Sequence, residues 1–454
     1  MNFKSVNPAD GNTVAEIAAF TAGELESALH QAAQAAPHWR QQTVAERCRL
    51  MQQAATVLRE RAEELACMMT LEMGKPVSEA RAEIEKCAWG CEYYAAEGPA
   101  FLADEGIDSD AGRSLVTYQP LGTVLAVMPW NFPFWQVFRF AAPALIAGNT
   151  GLLKHASNVP QCALAVESVF VDAGFPAGVF RSLMIPSSQV AGVIQDPRVQ
   201  AVTLTGSEPA GRQVAATAAA QIKKSLLELG GSDAFIVLED ADLDLAVEQA
   251  VLSRFLNTGQ SCIAAKRFIV VEAVAEVFVG RLKAAVEALR IGDPMDDATR
   301  LGPMARFDLR DDLHQQVVDS ISQGAVVVTG CSPESGNGAY YQASILDHVK
   351  PGVRAYTEEL FGPVASIIRV ADEDEAVRVA NDTDFGLGGS VWTRDSARGE
   401  RIARQLQCGC AFVNGMVKSD PRLPFGGIKN SGYGRELSRL GIHEFVNAKT
   451  IWIK

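Results

Sequence analysis

Short apolar segments alternate with helical stretches between residues 150 and 240, and this alternation restricts the chain to few folds. Each apolar segment is too short to form a helix, and each is followed by a longer stretch with helical spacing. This pattern is typical of βαβ units, in which helices cover parallel strands. The predicted strands are Gly151–Leu153, Val179–Met184, Ala201–Leu204 and Ala234–Leu238. We therefore predict an α/β protein with a parallel sheet.

A second α/β section follows between residues 245 and 425. Its strand candidates are Phe268–Val270, Ala325–Val328 and Val364–Val370. Residues 113–128 are predicted to form two strands around Pro120-Leu121-Gly122, and Phe445–Lys454 a terminal strand. With 454 residues, the chain is long enough for two or three domains.

Residues 22–100 are predicted to be helical, because their apolar residues recur with a spacing near 3.6. Thr43 and Glu46 resemble a capping box at a helix start. Gly74, with a proline two residues beyond it, is expected to end a helix at Met73.

The composition argues against several classes of protein. The formal net charge of -13 makes a basic nucleic-acid groove improbable. The most apolar stretch, residues 124–148, contains Arg139 and several prolines and so does not read as a membrane helix. The nine cysteines are odd in number and irregularly spaced, and with the six histidines they form no metal-ligand pattern. We expect a soluble cytoplasmic protein with reduced thiols, no metal, and neither nucleic acid nor membrane as partner.

Two segments carry candidate catalytic side chains. Cys262 follows the turn Asn257-Thr258-Gly259 and precedes an apolar segment, so it can lie at a loop tip where backbone N–H groups lower its pKa. Glu228 lies between leucines and enters a Gly-Gly turn, where burial would raise its pKa and suit a general base. The alternatives are a buried structural cysteine and a solvent-facing glutamate at a strand end.

Two further segments carry candidate binding groups. In Pro129-Trp130-Asn131-Phe132-Pro133, the prolines hold an amide that could donate to a developing oxyanion, or simply cap a packed turn. Thr205-Gly206-Ser207 lies between a predicted strand and a helix, where an anion can approach the helix N-terminus. The dinucleotide fingerprint G-x-G-x-x-G is absent, so spacing alone does not predict a nucleotide site.

Together these segments resemble the aldehyde dehydrogenase superfamily, and they occur in the same order along nearly the whole chain. The matching motifs are the Asn131 turn, Lys154, Thr205-Gly206-Ser207, Glu228, Cys262, Glu359-Leu360-Phe361-Gly362-Pro363 and Pro424-Phe425-Gly426-Gly427-Ile428-Lys429-Asn430-Ser431-Gly432.

The resemblance implies catalytic roles at matching positions. Cys262 resembles the nucleophile, and Asn131 with the Cys262 backbone N–H resembles the oxyanion hole. Glu228 resembles the base that activates water for thioester hydrolysis. Glu436 resembles a member of a proton relay.

The resemblance also implies a bound NAD or NADP. Lys154 would bind the adenosine ribose, Gly206 and Ser207 the pyrophosphate, and Glu359 the nicotinamide ribose. Trp130 and Phe361 would help to hold the cofactor. Relatives that prefer NAD often carry Glu where this chain has Ser157. A serine removes the repulsion of a 2′-phosphate, so we expect NADP to be accepted as well as NAD.

For the substrate, Arg139 resembles an arginine of succinate semialdehyde dehydrogenases and could bind a carboxylate. Trp135, Ser419 and Phe425 are also predicted to line the substrate site. A structural ion pair is the alternative for Arg139. Those enzymes usually carry a second arginine six residues before the nucleophile, where this chain has Leu256; Arg267, Lys418, Ser419 or Arg422 could replace it. Lactaldehyde and glutarate semialdehyde are alternative substrates.

The implied fold has three parts: a Rossmann-like, five-stranded cofactor domain, an α/β catalytic domain and a small β arm. We assign residues 1–111 and 129–230 to the first, 231–432 to the second, and 112–128 with 433–454 to the arm. The arm's exposed edge is expected to pair with another subunit, which predicts a homodimer or homotetramer. A cofactor-free hydrolase or acyltransferase using Cys262 and Glu228 is the rival from another class.

Overall fold

The computed structural model describes residues 2–454, and its N-terminal part is mainly helical, as predicted. A short hairpin precedes four helices. These elements are β1 (Asn2–Val6), β2 (Thr13–Ala18), α1 (Ala22–Gln41), α2 (Val44–Glu60), α3 (Ala62–Met73) and α4 (Val77–Phe101).

The predicted helix ends are largely confirmed. The Thr43 hydroxyl accepts a hydrogen bond from the Glu46 backbone N–H at 3.2 Å and caps α2. The Glu46 carboxylate pairs with Arg49 instead of returning to the cap, so only half of the predicted capping box forms. Gly74 ends α3 with a φ of 80°, a left-handed conformation that glycine adopts without strain.

A six-stranded sheet follows, built from βαβ units. Its section of the chain contains β3 (Glu105–Gly106), β4 (Arg113–Pro120), β5 (Thr123–Met128), α5 (Trp135–Ile146), β6 (Thr150–His155), α6 (Pro160–Asp172), β7 (Phe180–Ser182), α7 (Val190–Gln195), β8 (Val199–Thr205), α8 (Glu208–Ala220) and β9 (Lys224–Glu228). Strands β9, β8, β5, β6 and β7 lie side by side in that order, and all their pairings are parallel.

The second section forms a seven-stranded sheet. Its elements are β10 (Asp233–Val237), α9 (Leu243–Phe255), β11 (Ala265–Val271), α10 (Glu272–Glu287), α11 (Phe307–Ser322), β12 (Val326–Thr329), β13 (Ser344–Asp347), α12 (Arg354–Thr357), β14 (Val364–Val370), α13 (Glu373–Asn381), β15 (Phe385–Gly386), β16 (Gly388–Trp392), α14 (Ser396–Ala403) and β17 (Cys410–Val413). The order is β12-β13-β14-β11-β10-β16-β17, and β12 alone is antiparallel to its neighbour.

The C-terminal segment adds one strand to the six-stranded sheet and one strand beside β4. It contains β18 (Ile428–Lys429), β19 (Gly432–Tyr433), α15 (Ser438–His443) and β20 (Val446–Ile453). Strand β19 adds an antiparallel edge beside β9, so the predicted five parallel strands carry a sixth. Strand β20 pairs along the whole of β4, which with β3 completes a separate three-stranded sheet.

One predicted boundary is wrong. We assigned residues 112–128 to the arm, but only β4 lies in the three-stranded sheet; β5 lies inside the six-stranded sheet between β8 and β6. Strand β5 is apolar and buried on nearly its full length, so it requires cover on both faces, which a central parallel strand receives.

Candidate active site

The loop that carries Cys262 is held by buried polar contacts. It leaves α9 through a tight turn in which Asn257 and Thr258 have φ of 54° and 55°. Non-glycine residues in this conformation are strained, so surrounding contacts must hold them. The Arg254 guanidinium donates to the carbonyl oxygens of Gly259 at 2.6 Å and Gly362 at 2.5 Å. Cys262 is therefore presented by a braced loop.

Burial determines the acidity of the Cys262 thiol. It raises the pKa of Cys262 to about 12, and the positive charges of Arg139 and Lys266 only partly oppose the rise. Our prediction of a lowered pKa is wrong in this state, because the cost of burying a thiolate exceeds the help from nearby donors. Thiolate chemistry at Cys262 would therefore require deprotonation that is linked to the reaction.

Lys266 braces the same loop and was missed by the sequence analysis. Its ammonium donates to the carbonyl oxygens of Ser261 at 2.9 Å and Cys262 at 2.8 Å, and it pairs with Glu359 at 3.1 Å. The available signal was a lysine inside an otherwise buried strand, since charged residues are seldom fully buried without partners.

Asn131 lies beside this loop in the predicted position. Its side-chain amide donates to the Gln260 carbonyl at 3.0 Å, and its backbone carbonyl accepts from the Asn257 side chain at 2.7 Å. An amide group has two N–H donors, so one remains for another acceptor. Asn131 and Cys262 line the same cleft, and the predicted role of Asn131 in an oxyanion hole stays a prediction.

Glu228 ends β9 and is 2% exposed. Within residues 2–454, neither of its carboxylate oxygens has a hydrogen-bond partner. Burial, followed by repulsion from Glu436, raises its pKa well above the usual value. A Cβ at Gly426 would lie 2.7 Å from Glu228 Oε1, so glycine at that position leaves room for the carboxyl group. The prediction that Glu228 is buried and that burial raises its pKa is confirmed.

Arg139 forms a buried ion pair with Glu436, the alternative considered for it. Its guanidinium also stacks over the Phe425 ring, 4.7 Å from the centroid. Arg139 lines a cavity beside Cys262, yet its charge is already compensated by a carboxylate. The predicted interaction with a substrate carboxylate stays a prediction.

A cleft of about 280 Å³ opens on one side of Cys262, at the carboxyl ends of the parallel strands. This edge is where ligands bind in open α/β sheets. The cleft brings together six of the predicted cofactor and oxyanion residues: Trp130, Asn131, Gly206, Ser207, Glu359 and Phe361. The Trp130 and Phe361 rings meet edge to face, with centroids 5.9 Å apart.

Two predicted cofactor residues lie further along the same sheet edge. Lys154 lies near the end of β6, and its ammonium is 3.3 Å from the Ser187 hydroxyl. Ser157 follows two residues after β6 and lines a separate open groove with Asn158 and Arg306. The cleft beside Cys262 does not include them in its lining.

The residues of the cleft fit a dinucleotide. Ser207 is the N-cap of the 13-residue helix α8, and within residues 2–454 its hydroxyl makes no capping hydrogen bond. That hydroxyl and the N–H groups of Glu208 and Ala210 can donate to a phosphate, whereas Pro209 has no N–H; Gly206 places no side chain in the way. The Glu359 carboxylate, which also lines the cleft, accepts a hydrogen bond from the Gly231 N–H at 3.2 Å.

A second cavity, of about 80 Å³, also adjoins Cys262. All four predicted substrate residues, Trp135, Arg139, Ser419 and Phe425, line it. Lys86 also lines it and was missed, because helix α4 lies far away in sequence. The sequence feature that could have indicated Lys86 is its position next to the apolar face of that helix. Of the suggested replacements for the missing arginine, Lys418 lines the cavity, whereas Arg267 is bonded to backbone carbonyls elsewhere and Arg422 pairs with Asp420.

Residues 2–454 contain neither a metal-binding cluster nor a membrane-spanning helix. No group of three or more His, Cys, Asp or Glu side chains in that range is arranged to hold a metal ion. No helix of the same residues combines the length and apolar character needed to cross a membrane.

Comparison with known proteins agrees with this geometry. The profile of the aldehyde dehydrogenase family matches residues 1–451. A probable NADP⁺-dependent succinate-semialdehyde dehydrogenase of Synechocystis is 52% identical over 453 residues, covering 100% of both chains. An NADP⁺-dependent succinate-semialdehyde dehydrogenase of Mycobacterium avium is 50% identical, covering 100% of this chain and 97% of the relative.

A solved structure supports the same assignment. Succinic semialdehyde dehydrogenase from Streptococcus pyogenes, in complex with NADP⁺, superposes with a TM-score of 0.98 at 38% identity, covering 99% of each chain. The fold, the order of the motifs and the full-length matches lead to one conclusion. This chain belongs to the aldehyde dehydrogenase family.

Proposed function

We propose that this enzyme oxidises succinate semialdehyde to succinate and transfers hydride to NADP or NAD. The observation that carries the proposal is the place of Cys262, between a cleft suited to a dinucleotide and a cavity with cationic walls. A cavity that presents Lys86 and Arg139 suits an aldehyde with a carboxylate at its far end. The names of the relatives support the same substrate.

Cys262 reacts as a thiolate, after its thiol proton has passed to solvent water. Its sulfur bonds to the aldehyde carbon, and the carbonyl electron pair moves onto oxygen, giving a thiohemiacetal anion. The free N–H of the Asn131 amide and the Cys262 backbone N–H donate to this oxyanion. Arg139 and Lys266 favour the thiolate electrostatically, because both oppose the rise in the pKa of Cys262.

The bound dinucleotide supplies a hydride acceptor. Loss of hydride from the substrate carbon leaves a thioester on Cys262. Glu228, as a carboxylate, takes a proton from a water molecule while the water oxygen bonds to the thioester carbon. The carbon–sulfur bond then breaks, which releases the carboxylic acid and restores the thiolate. Arg139 and Glu436, which pair with each other, both act on Glu228. The charge of Glu436 raises the pKa of Glu228, and the charge of Arg139 lowers it.

Initial rates of reduced-cofactor formation test the proposed substrate. The panel contains succinate semialdehyde, glutarate semialdehyde, lactaldehyde and butanal, each with NADP and with NAD. We expect the highest kcat/KM with succinate semialdehyde. A higher value for lactaldehyde or butanal would contradict the substrate, and absence of reduced cofactor with every aldehyde would favour the cofactor-free hydrolase.

Cofactor choice is expected to depend on Ser157. The substitution Ser157→Glu places a carboxylate beside the predicted ribose site, where it repels a 2′-phosphate. We expect kcat/KM for NADP to fall at least about tenfold, the effect of a like-charge contact of roughly 1–2 kcal/mol, with a smaller change for NAD. Ser157→Gln is the matched control, since it adds similar volume without charge. Equal losses for both cofactors in Ser157→Glu would contradict a role in phosphate discrimination.

We also propose a homodimer or homotetramer assembled through the three-stranded arm. Strand β20 is an edge strand within the described residues, and Trp452 and Ile453 on it are about half exposed. Such an edge invites pairing with another chain. Trp452→Glu should lower the mass measured by light scattering. Val171→Glu is the control, because it also places a carboxylate at an exposed apolar residue, but on α6 and outside the arm. An unchanged mass for Trp452→Glu, or a monomeric wild-type protein, would contradict this assembly.

The remaining assignments are also proposals. We assign the six-stranded sheet, including β5, to cofactor binding and residues 231–432 to catalysis. A reducing compartment such as the cytoplasm suits the nine cysteines, none of which is disulfide-bonded in residues 2–454.

A further inference from the structure

We propose that Glu79, on helix α4, positions the loop that carries Cys262 against the Asn131 amide. It does so by holding the backbone N–H of Asn257, in the turn that leads to Cys262. This inference rests on the proposed roles of Cys262 and Asn131 in the reaction. Glu79 is not among the residues that line the cleft or the cavity beside Cys262, so it acts through the loop that it holds.

The turn before Cys262 is strained, and Glu79 supplies a partner for its backbone. Asn257 and Thr258 have φ of 54° and 55°, a conformation that costs free energy in residues other than glycine. The Asn257 N–H donates to the Glu79 carboxylate at 2.7 Å. A hydrogen bond to an ionised acceptor is roughly twice as strong as one between neutral groups. The carboxylate therefore holds Asn257 in a conformation that is otherwise unfavourable.

Asn257 joins the Cys262 loop to the Asn131 turn. Its buried side-chain amide donates to the Asn131 carbonyl at 2.7 Å and to the Gln260 carbonyl at 3.1 Å. The Gln260 carbonyl also accepts a hydrogen bond from the Asn131 side chain at 3.0 Å. Asn131, Asn257 and Gln260 thus form one closed set of contacts. A shift of Asn257 would move the Asn131 amide relative to Cys262.

Helix α4 holds the Asn131 turn as well as the Cys262 loop. Glu83, one helical turn after Glu79, accepts hydrogen bonds from the Phe134 and Trp135 N–H groups, each at 2.9 Å. Side chains four residues apart are neighbours on a helix. Two adjacent carboxylates of α4 therefore hold the two loops, one each, and fix them against each other.

The surroundings of Glu79 make its ionisation sensitive to pH near neutrality. Packing around the carboxyl group excludes water and raises the pKa of Glu79 to about 7, against the opposing effect of the Asn257 N–H. The positive charges of Lys75 and Arg300 also oppose the rise, and Lys75 is itself paired with Glu83. Above that pKa the carboxylate holds Asn257; below it, a neutral carboxyl group accepts the same hydrogen bond more weakly.

A double-mutant cycle tests whether Glu79 acts through Asn131. The readout is kcat, with NADP and the most rapidly oxidised aldehyde, for Glu79→Ala, Asn131→Ala and the double variant. We expect Glu79→Ala alone to lower kcat at least about tenfold, because misplaced reacting groups lose rate, and to change KM less than about threefold. In the Asn131→Ala background the same substitution should lower kcat less than about threefold, since the donor that Glu79 positions is already absent.

Glu79→Gln and Glu85→Ala are the matched variants. Glutamine keeps the side-chain volume and a neutral acceptor for the Asn257 N–H, so its kcat should lie between those of Glu79→Ala and the wild-type enzyme. Glu85→Ala removes an exposed glutamate of the same helix, which pairs with Arg59, and should keep kcat within about twofold. Thermal unfolding of each variant separates a loss of kcat from a loss of folded protein.

The pH dependence gives a readout that a purely structural role would not move. Burst rates of reduced-cofactor formation are compared at each pH for Glu228→Gln and for the double variant Glu79→Gln/Glu228→Gln. The titration of Glu228 is then absent, and that of the Cys262 thiol cancels in the ratio of the two rates. The ratio should exceed about two above pH 7 and fall towards one below it, because protonated Glu79 and glutamine are both neutral acceptors.

The outcomes separate this inference from the proposed function. If the wild-type enzyme oxidises aldehydes but the two losses of kcat multiply in the double variant, the positioning role of Glu79 is overturned and the proposed function stands. A ratio of burst rates that does not change with pH, or an equal loss of kcat in Glu85→Ala, overturns it in the same way. If the wild-type enzyme forms reduced cofactor with no aldehyde, the proposed function fails and this inference fails with it.

Discussion

Cys262→Ala is expected to lower kcat for aldehyde oxidation by about 10⁴-fold or more, with every aldehyde and either cofactor. Cys262 lines both the cleft that contains Asn131 and the cavity proposed for the aldehyde, so its sulfur can bond to the aldehyde carbon where the two adjoin. Removing a covalent nucleophile eliminates both the thiohemiacetal and the thioester. The measurement is the initial rate of reduced-cofactor formation, with thermal unfolding as the check on folding.

The matched control for this variant is Cys67→Ala. Cys67 is a partly exposed cysteine on α3 and lines neither cavity. It should retain the wild-type rate within about twofold, as expected for a substitution away from the site. Residual aldehyde oxidation in Cys262→Ala above about a hundredth of the wild-type rate would contradict the assignment of the nucleophile.

Glu228→Gln is expected to separate the two halves of the reaction. Acylation and hydride transfer should proceed once per active site, because they do not require the Glu228 base. Steady-state turnover should then fall about 10²- to 10⁴-fold, the usual contribution of a general base. Stopped-flow absorbance should show a rapid burst of one reduced cofactor per subunit, followed by a slow phase.

The dependence of the steady-state rate on pH tests whether ionised Glu228 acts as the base. Burial and Glu436 raise the pKa of Glu228, so its basic form appears only as pH rises through that value. The wild-type steady-state rate should therefore increase with pH, and the slow phase of the Glu228→Gln enzyme should lack that increase. Glu444→Gln is the control, because Glu444 also has a raised pKa but pairs with Lys224 and is not among the charges that act on Glu228 or Cys262. A loss of the burst together with turnover would contradict a role confined to hydrolysis.

The proposed catalytic groups could be singled out from the sequence because they lie in local motifs. Cys262, Glu228 and Asn131 each lie at a strand end or a turn whose residues are recognisable in sequence, and the order of the motifs supplied the rest. The cofactor site depended on that resemblance, because the chain lacks the glycine-rich fingerprint. Local spacing alone would have left it unassigned.

Pairings between distant segments could not be predicted. Arg139 and Glu436 are almost 300 residues apart, and only the folded chain shows that they neutralise each other. Lys86 reaches the cavity beside Cys262 from a helix that carries no motif. The acidity of Cys262 was predicted in the wrong direction, since it depends on the depth of burial that the whole fold creates. Strand β5 was misplaced for the same reason: its sheet neighbours come from other parts of the chain.

The most direct test of the account is the mass of the Glu228→Gln enzyme, quenched with acid after one burst with succinate semialdehyde and NADP. Peptide mapping by mass spectrometry locates any added group. The account predicts a succinyl thioester on Cys262, at close to one per subunit, and none on the other eight cysteines. An unmodified Cys262 after a full burst, or an acyl group on a different residue, would contradict the proposed chemistry.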